Sequence, residues 1–261
     1  MSSIPNGMAN DHYVYALIVV IGTLAAVIGT NWFIQSSRWS AWARSLQGVA
    51  PPFINILGVL FGLTLAFLAN DTWSAHDQAT RAVYKEADAL QSLATLAKPL
   101  PPAQRQALER SIADYAQACA QEWTALAQRQ ASPAVKQKAD DLLTLLASPD
   151  LAHATSNNVH ALMLSKASEA RDQRDQRIAL SQTHVNPLKW LGMGFLGLLT
   201  LLSIAVVHVD KPLAALVAVS LFALAAAPTA AIVLIQGNPF EPPTVVSPAP
   251  IEAVAAGLVA R

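Results

Sequence analysis

Residues 52–97 read PFINILGVLFGLTLAFLANDTWSAHDQATRAVYKEADALQSLATLA. The first eighteen residues of this stretch carry no charge, and at about 1.5 Å per residue they are long enough to cross a hydrocarbon core about 30 Å thick. From Asp71 the same stretch turns polar without a breaker. Ala79, Val83, Ala87, Leu90 and Ala94 then recur at three- and four-residue steps, the spacing of an amphipathic helix. The stretch therefore predicts one helix that begins in lipid and ends in water. That reading makes the chain an all-α membrane protein.

The same partition runs through the whole chain of 261 residues. It is 53% hydrophobic and 13% charged, with seventeen basic and seventeen acidic residues, so the formal net charge is zero. A soluble domain carries about 25% charged residues. Between Asp11 and Arg38, Arg44 and Asp71, Lys189 and Asp210, and Lys211 and Glu241 no charged residue occurs. Thirteen of the seventeen charges of each sign fall between Asp71 and Lys189. Four expected spans lie in or against these gaps, at residues 13–33, 52–69, 188–208 and 212–236. Four segments follow: an N-terminal segment with the first two spans (1–69), a polar helical insert (70–186), the last two spans (187–236) and a Pro-rich tail (237–261). The neutral balance argues against nucleic acid as a partner, which calls for a basic patch. The single cysteine, Cys119, excludes an intrachain disulfide.

The residues before the first span carry no Lys or Arg, unlike a secretory leader, so that span reads as a retained anchor. Tyr13, Tyr15, Trp32, Trp39, Trp42, Trp73 and Trp190 lie near span boundaries, where amphipathic rings are favoured. The linker 35–50 places Trp39, Trp42 and Leu46 at helical spacing. It reads either as a short helix in the interface or as a plain loop. Within the insert, a helix over 102–130 presents Leu108, Ile112, Tyr115, Cys119, Trp123 and Leu126 as one narrow apolar stripe. Ser132-Pro133 starts a helix through Ala147 that buries Val135, Ala139, Leu142, Leu143 and Leu146, and Ser148-Pro149 starts another over 149–183. The tail is expected to be irregular before a weak terminal helix.

Four spans place both termini and the insert on one side. The basic residues of the short loops (Arg38, Arg44, Lys211) favour those loops in the cytoplasm, while Arg171, Arg174, Arg177 and Lys189 before the third span pull the other way.

Catalytic chemistry finds little support. No metalloprotease, phosphate-loop, nucleophile-elbow or CxxC motif occurs, and His153 and His160 lie seven apart, too far for an i,i+4 chelate. His76-Asp77 share no helix face. Glu86, Asp88 and Glu122 read as a solvated face or ion pairs, and Cys119 as a small buried hydrophobe. No cofactor or metal is expected, and the chain is not read as an enzyme. Nor does any span carry an ionisable group at its centre, which argues against proton-coupled transport but leaves a neutral pore open.

The second span has the most ordered pattern. Asn55, Gly58, Gly62, Ala66 and Asn70 fall close to one face, and Gly58–Gly62 is a GxxxG. Small residues let helix backbones approach and Asn can bond across an interface. The face serves either packing within one subunit or the lining of an oligomeric pore. Gly22, Ala26 and Gly29 form a similar face in the first span, Gly194 and Gly197 a weaker one in the third, and Pro228 is expected to kink the fourth.

Several short motifs resemble the bestrophin-like bacterial membrane proteins. They are LGVLFGLTLAF running to Phe67, Trp73, YKEADAL (84–90), the LAKPLPP break, ADYAQACAQEW (113–123), an Arg-rich stretch before Asn186-Pro187-Leu188-Lys189-Trp190, and NPFEPPTVVSP (238–248). Glu241 and prolines stand where that family often has Gly after Pro-Phe. The resemblance implies two spans, a helical insert and two spans in a bacterial inner membrane, with a distant relation to pentameric bestrophin anion channels. It thereby implies a homo-oligomer, small anions as partners, a pore lined by the second span, and a cytosolic insert. The alternative is a non-transporting scaffold or signalling protein whose insert binds a partner through the 108–126 stripe.

Overall fold

The computed structural model describes residues 17, 21–33, 36, 39–46, 48, 50–182, 187–235, 237–242 and 244–259, and among them every regular element is helical. In chain order these are α1 (Ile21–Phe33), α2 (Ser40–Ser45), α3 (Ala50–Ala97), α4 (Pro102–Gln121), α5 (Trp123–Ala127), α6 (Pro133–Leu146), α7 (Pro149–His153), α8 (Asn157–Gln182), α9 (Pro187–Val207), α10 (Pro212–Ile235) and α11 (Ala249–Val259). The chain divides into two units, one made of residues 1–73 and 184–237, the other of 74–183 and 238–261.

In the first unit, three helices are long and apolar enough to cross a membrane: α3, α9 and α10. The expected first span at 13–33 is represented by α1, and apart from Leu17 its residues before Ile21 lie outside the described residues. This unit inverts the usual order of a soluble protein. Phe67, Leu191, Leu213 and Leu224 are each at least 67% exposed. So much contiguous apolar surface needs a lipid solvent. The buried side of α3 is narrow: Phe61, Leu65, Leu68 and Ala69 pack with Met193 of α9 and Val233 of α10, and Phe61 meets Phe222 at 5.2 Å. A Cβ on Gly197 would stand 3.2 Å from Phe61, so this glycine is what lets α9 approach α3. Hydroxyls within the helices bond back to the preceding turn, Thr64 to the Leu60 carbonyl, Thr72 to Leu68 and Thr200 to Leu196. Each polar group is thereby satisfied inside its own helix. Pro228 lies inside α10, where its missing N–H leaves the Leu224 carbonyl without its helical donor. At the polar end of α3, Lys189 Nζ meets Asp71 Oδ2 at 2.6 Å.

The second unit is a water-soluble type of bundle with one core. The α3 stripe at Ala79, Val83, Ala87, Leu90 and Ala94 is buried, as is the whole expected stripe Leu108, Ile112, Tyr115, Cys119, Trp123 and Leu126. On α6, Val135, Ala139, Leu142 and Leu146 are buried and Leu143 is half-buried.

Two expected helices are shorter than their periodicity indicates. The 102–130 helix breaks at Glu122 and its second part ends at Ala127, with Gln128 as the cap. There Gln130 N–H bonds the Ala125 carbonyl and Arg129 N–H bonds that of Leu126, with Arg129 at φ 61°. This is a Schellman stop with an arginine where glycine is usual. The 149–183 helix breaks after His153, and α8 restarts beyond Ser156, whose Oγ accepts the Val159 N–H. The tail departs most from expectation. Phe240, Val246, Ile251 and Val254 enter the core of the second unit, so the segment is ordered by burial despite its prolines.

Candidate functional site

Two features of the structure stand apart from plain packing: the small-residue face of α3 in the first unit, and a buried charge network in the second.

At about 100° per residue, Asn55, Gly58, Gly62, Ala66 and Asn70 occupy an arc of roughly 120° on α3. Phe61, Leu65, Leu68, Ala69 and Thr72 form the side that packs against the same unit. Asn55, Gly62, Ala66 and Asn70 are exposed and Gly58 is half-buried. A Cβ built on Gly58 or Gly62 meets no described atom within 4 Å. Packing within one subunit, the first of the two readings of this GxxxG, is thus not how the described residues use it. The same holds for Gly22 and Gly29 of α1 and for Gly194, whereas Gly197 is a true close approach. The face has no charge, and neither does any residue of α3 from Ala50 to Asn70.

The network begins at Glu86, which sits in the core register of α3, three residues after Val83 and four before Leu90. It is fully buried. Its Oε1 accepts the Tyr115 hydroxyl at 2.9 Å, the Cys119 thiol at 3.4 Å and Arg177 Nη2 at 3.1 Å, and its Oε2 accepts Arg177 Nε at 2.6 Å. A second carboxylate, Glu122, takes Arg174 through Nε at 3.1 Å and Nη2 at 2.6 Å, and also accepts the Ser132 backbone N–H at 2.9 Å. Arg174 Nη2 donates to the Ser132 carbonyl at 3.1 Å as well. The two pairs meet where Arg177 Nη2 lies 3.8 Å from Glu122 Oε2. Two carboxylates and two guanidiniums close the network at net zero charge, each pair bidentate, the geometry in which a guanidinium matches a carboxylate best.

Aromatic contacts extend the network to the tail. The Arg177 guanidinium lies over the Trp123 ring, 4.8 Å from its centroid. Trp123 Nε1 donates to the Val246 carbonyl at 2.6 Å, and its ring meets Phe240 edge-on at 5.7 Å. Asn238 donates to the Leu126 and Ala127 carbonyls and accepts the Phe240 N–H. It therefore covers the open carbonyls at the end of α5.

The electrostatics follow from burial. Burial pushes the Cys119 thiol and the Tyr115 phenol well above their ordinary values, and the adjacent Glu86 carboxylate adds to both shifts. Burial pulls the Arg177 guanidinium down, but the charge and hydrogen bonds of Glu86 more than offset this and hold it above its usual value. Cys119 is thus a neutral donor to Glu86, not a thiolate.

The remaining candidates separate. Asp88 is solvent-exposed on α3, His76 is half-buried and Asp77 exposed. His160 bonds the Leu146 carbonyl and does not join His153. Among the described residues no group of three or more His, Cys, Asp or Glu is placed to hold a metal ion. The 108–126 stripe is consumed by its own bundle and offers no surface to a partner.

Sequence reasoning left Glu86 and Glu122 between a solvated face and ion pairs, and counted Arg174 and Arg177 only as charge before the third span and as part of the Arg-rich stretch. The signal was register. Ala167, Ala170, Arg174, Arg177 and Ser181 continue the spacing of the buried face of α8, and all are buried.

A profile described as Bestrophin-like domain matches residues 21–251. No curated protein sequence matches significantly. Among solved structures, the chain is similar to a leucine-to-threonine variant of a bacterial Bestrophin homolog from Klebsiella pneumoniae. The TM-score is 0.65 at 14% identity, over 93% of this chain and 98% of that one. A tryptophan-to-alanine variant of the Klebsiella pneumoniae protein gives 0.64 at 13% identity, over 98% of both chains. A proline-to-alanine variant of a membrane protein gives 0.64 at 15%, over 96% and 98%. At these identities the likeness is one of fold.

Proposed function

The chain belongs to the Bestrophin-like domain family, and from that premise we propose that it is a homo-oligomeric channel for small ions, anions foremost, in a bacterial inner membrane. In this reading α1, α3, α9 and α10 are four spans, the insert is the polar helical body between the second and third, and the α3 faces of several copies surround a central path. The observation that carries it is the uncovered face Asn55–Gly58–Gly62–Ala66–Asn70. It is an uncharged, small-residue surface on the apolar part of α3, and no described atom lies within 4 Å of a Cβ built on either of its glycines. Glycines there permit close approach of neighbouring copies or leave a clear bore, and the asparagine amides offer N–H donors to an anion.

The lack of an ionisable group along this face argues for passive conduction, not coupled transport. The charge network supports the same division of labour. Its groups are paired and buried, so they fasten the helical body and carry no ion. The scaffold alternative has lost the exposed stripe on which it rested.

Ion flux from proteoliposomes holding the purified oligomer tests the reading. Anion efflux above that of empty vesicles is expected. A folded, homogeneous oligomer that passes none of a series of anions across a range of pH refutes it.

A further inference from the structure

The described residues of the linker between α1 and α3 form a built element. Ser36 starts it by accepting the N–H groups of Trp39 and Ser40, and α2 follows. Ala43 is fully buried on one side of α2, in a cluster with Ala50, Leu201, Ala205 and Val206, and Leu46, Val207 and Val209 pack onto that cluster. The helix is therefore pinned to the end of its unit where α3 begins and α9 ends.

Its aromatic residues are organised but not covered. Phe33 stacks on Trp39 at 5.1 Å, Trp39 meets Trp42 edge-on at 6.1 Å, and Phe33 meets Trp42 at 6.5 Å. Even so, Trp39 stays 45% exposed, Trp42 51% and the preceding Trp32 72%. Indole rings with an apolar body and a polar N–H favour the boundary between acyl chains and headgroups.

Charge on the linker itself has one sign. Between residues 12 and 70 the only charged residues are Arg38 and Arg44. Arg44 is exposed and held by its own helix, its Nη2 donating to Ser40 Oγ at 3.3 Å. The loop after α9, whose Val209 packs on the same cluster, adds exposed Lys211 beside one carboxylate, Asp210.

Depth agrees as well. From Ala50 to Asp71, α3 rises about 31 Å at about 1.5 Å per residue, close to the roughly 30 Å of a hydrocarbon core. Asp71–Lys189 and Trp73 mark the far boundary, and α2 marks the near one.

We propose that α2 is an interfacial anchor docked on an anionic phospholipid surface. Trp39 and Trp42 sit at the level of the lipid carbonyls, and Arg44 with Lys211 engages headgroup phosphates. The surface is continuous with the apolar, exposed sides of the spans, and the charge of the linker, basic only, is the complement of an acidic lipid. The proposal stands whether or not the protein conducts.

The test uses the full-length protein reconstituted in phosphatidylcholine vesicles with and without phosphatidylglycerol. The difference in tryptophan emission between the native chain and the Trp39→Phe/Trp42→Phe variant reports these two rings alone. We expect that difference signal to be quenched by lipids brominated near the carbonyls and protected from aqueous iodide. Arg44→Gln, an exposed change that leaves the core untouched, should lower the preference for spin-labelled phosphatidylglycerol over phosphatidylcholine by up to about five-fold, the effect of one basic residue near such a surface. Iodide quenching as strong as in the denatured chain, or an unchanged lipid preference in Arg44→Gln, overturns the proposal. Neither readout involves ion flux, so its failure is separate from a failure of the channel reading.

Discussion

Glu86→Gln is the sharpest single perturbation of the buried network. The side chain keeps its shape but loses its charge, and one of its two acceptor oxygens becomes a donor. Arg177 is fully buried and gives both of its bonds at this position to Glu86, at 2.6 and 3.1 Å. In the variant one of those bonds faces an amide N–H, and a guanidinium is left in the core without a matching carboxylate. Breaking a buried pair from one side costs about 3–5 kcal/mol. Glu122 Oε2, 3.8 Å from Arg177 Nη2, supplies residual attraction, so the low end, about 3 kcal/mol, is the expected loss. Against a typical domain stability of about 5–15 kcal/mol this is large.

Cys119 provides the assay, because it is the only cysteine, it is buried, and its thiol touches Glu86. Under conditions where closing is faster than labelling, a loss of about 3 kcal/mol speeds its reaction with a maleimide by roughly 150-fold, since about 1.4 kcal/mol is a factor of ten. The double variant Glu86→Met/Arg177→Met removes both charges together and should label far more slowly than Glu86→Gln, because an apolar replacement of a whole pair is often neutral. A Glu86→Gln protein that labels within about three-fold of the native rate, about 0.7 kcal/mol on the same scale, refutes the view that this pair is a desolvated, mutually dependent unit.

Gly62→Leu and Gly197→Leu should part company. The first meets open space within the chain and is expected to leave the Tm of the isolated protomer nearly unchanged while shifting the oligomer to smaller species on a sizing column. The second drives a side chain into Phe61 and should cost about 1–3 kcal/mol of protomer stability by thermal unfolding. Stability should also fall in alkali. Cys119 and Tyr115 titrate higher in the fold than when unfolded, so the unfolded chain binds fewer protons once pH passes about 8.5 and then about 10. The stabilisation is therefore complete below about pH 8.5 and declines by up to about 1.4 kcal/mol per pH unit for each group above its unfolded pKa. A Cys119→Ala variant should show a flatter decline in denaturant titrations between about pH 8.5 and 10. Asn238→Ala removes three hydrogen bonds at a buried position and should cost about 2–3 kcal/mol, seen as faster proteolytic release of the tail.

The parts of the fold governed by local rules were legible in the sequence. The three helices long and apolar enough to cross a membrane, expected at 52–69, 188–208 and 212–236, follow from long runs almost free of charge, and the apolar stripes of α3, α4 and α6 follow from period alone. The breaks were not legible, because each is decided by side chains remote in sequence. Glu122 leaves the helix line where Arg174 and the Ser132 backbone claim its carboxylate. Arg129 ends α5 in a left-handed conformation that composition disfavours, with a two-bond stop in place. The tail is the plainest case. Its prolines predict irregular backbone, and the described residues 237–242 and 244–248 are irregular, but irregularity does not forbid burial when Asn238, Phe240 and Val246 find partners on α5. The α3 face could be seen as a pattern but not assigned, since packing within a chain and packing between chains ask for the same small residues. The empty space at Gly58 and Gly62 within the described residues is what the channel proposal builds on.

The motifs that carried the resemblance acquire a physical reason from the network. YKEADAL contributes Glu86. ADYAQACAQEW contributes Tyr115, Cys119, Glu122 and Trp123. The Arg-rich stretch contributes Arg174 and Arg177, and NPF contributes Asn238 and Phe240. Four segments separated by up to 152 residues (86 to 238) converge on hydrogen bonds that no one of them can complete alone. A buried charge is tolerated only when every partner is present, so such residues are bound to one another in a way that lipid-facing leucines are not. This also explains where the charge of the chain resides. Up to Asn70, α3 obeys lipid and carries no charge. Beyond Ser74 it obeys the bundle, and the first acid it buries is the one the other three segments are built to receive. The network therefore fixes the polar half of α3 and places no charge in its apolar half. On the channel proposal, conduction would be governed by the neutral Asn and Gly positions. Substituting the network should change how much folded protein there is, and leave the ion preference of what remains unchanged.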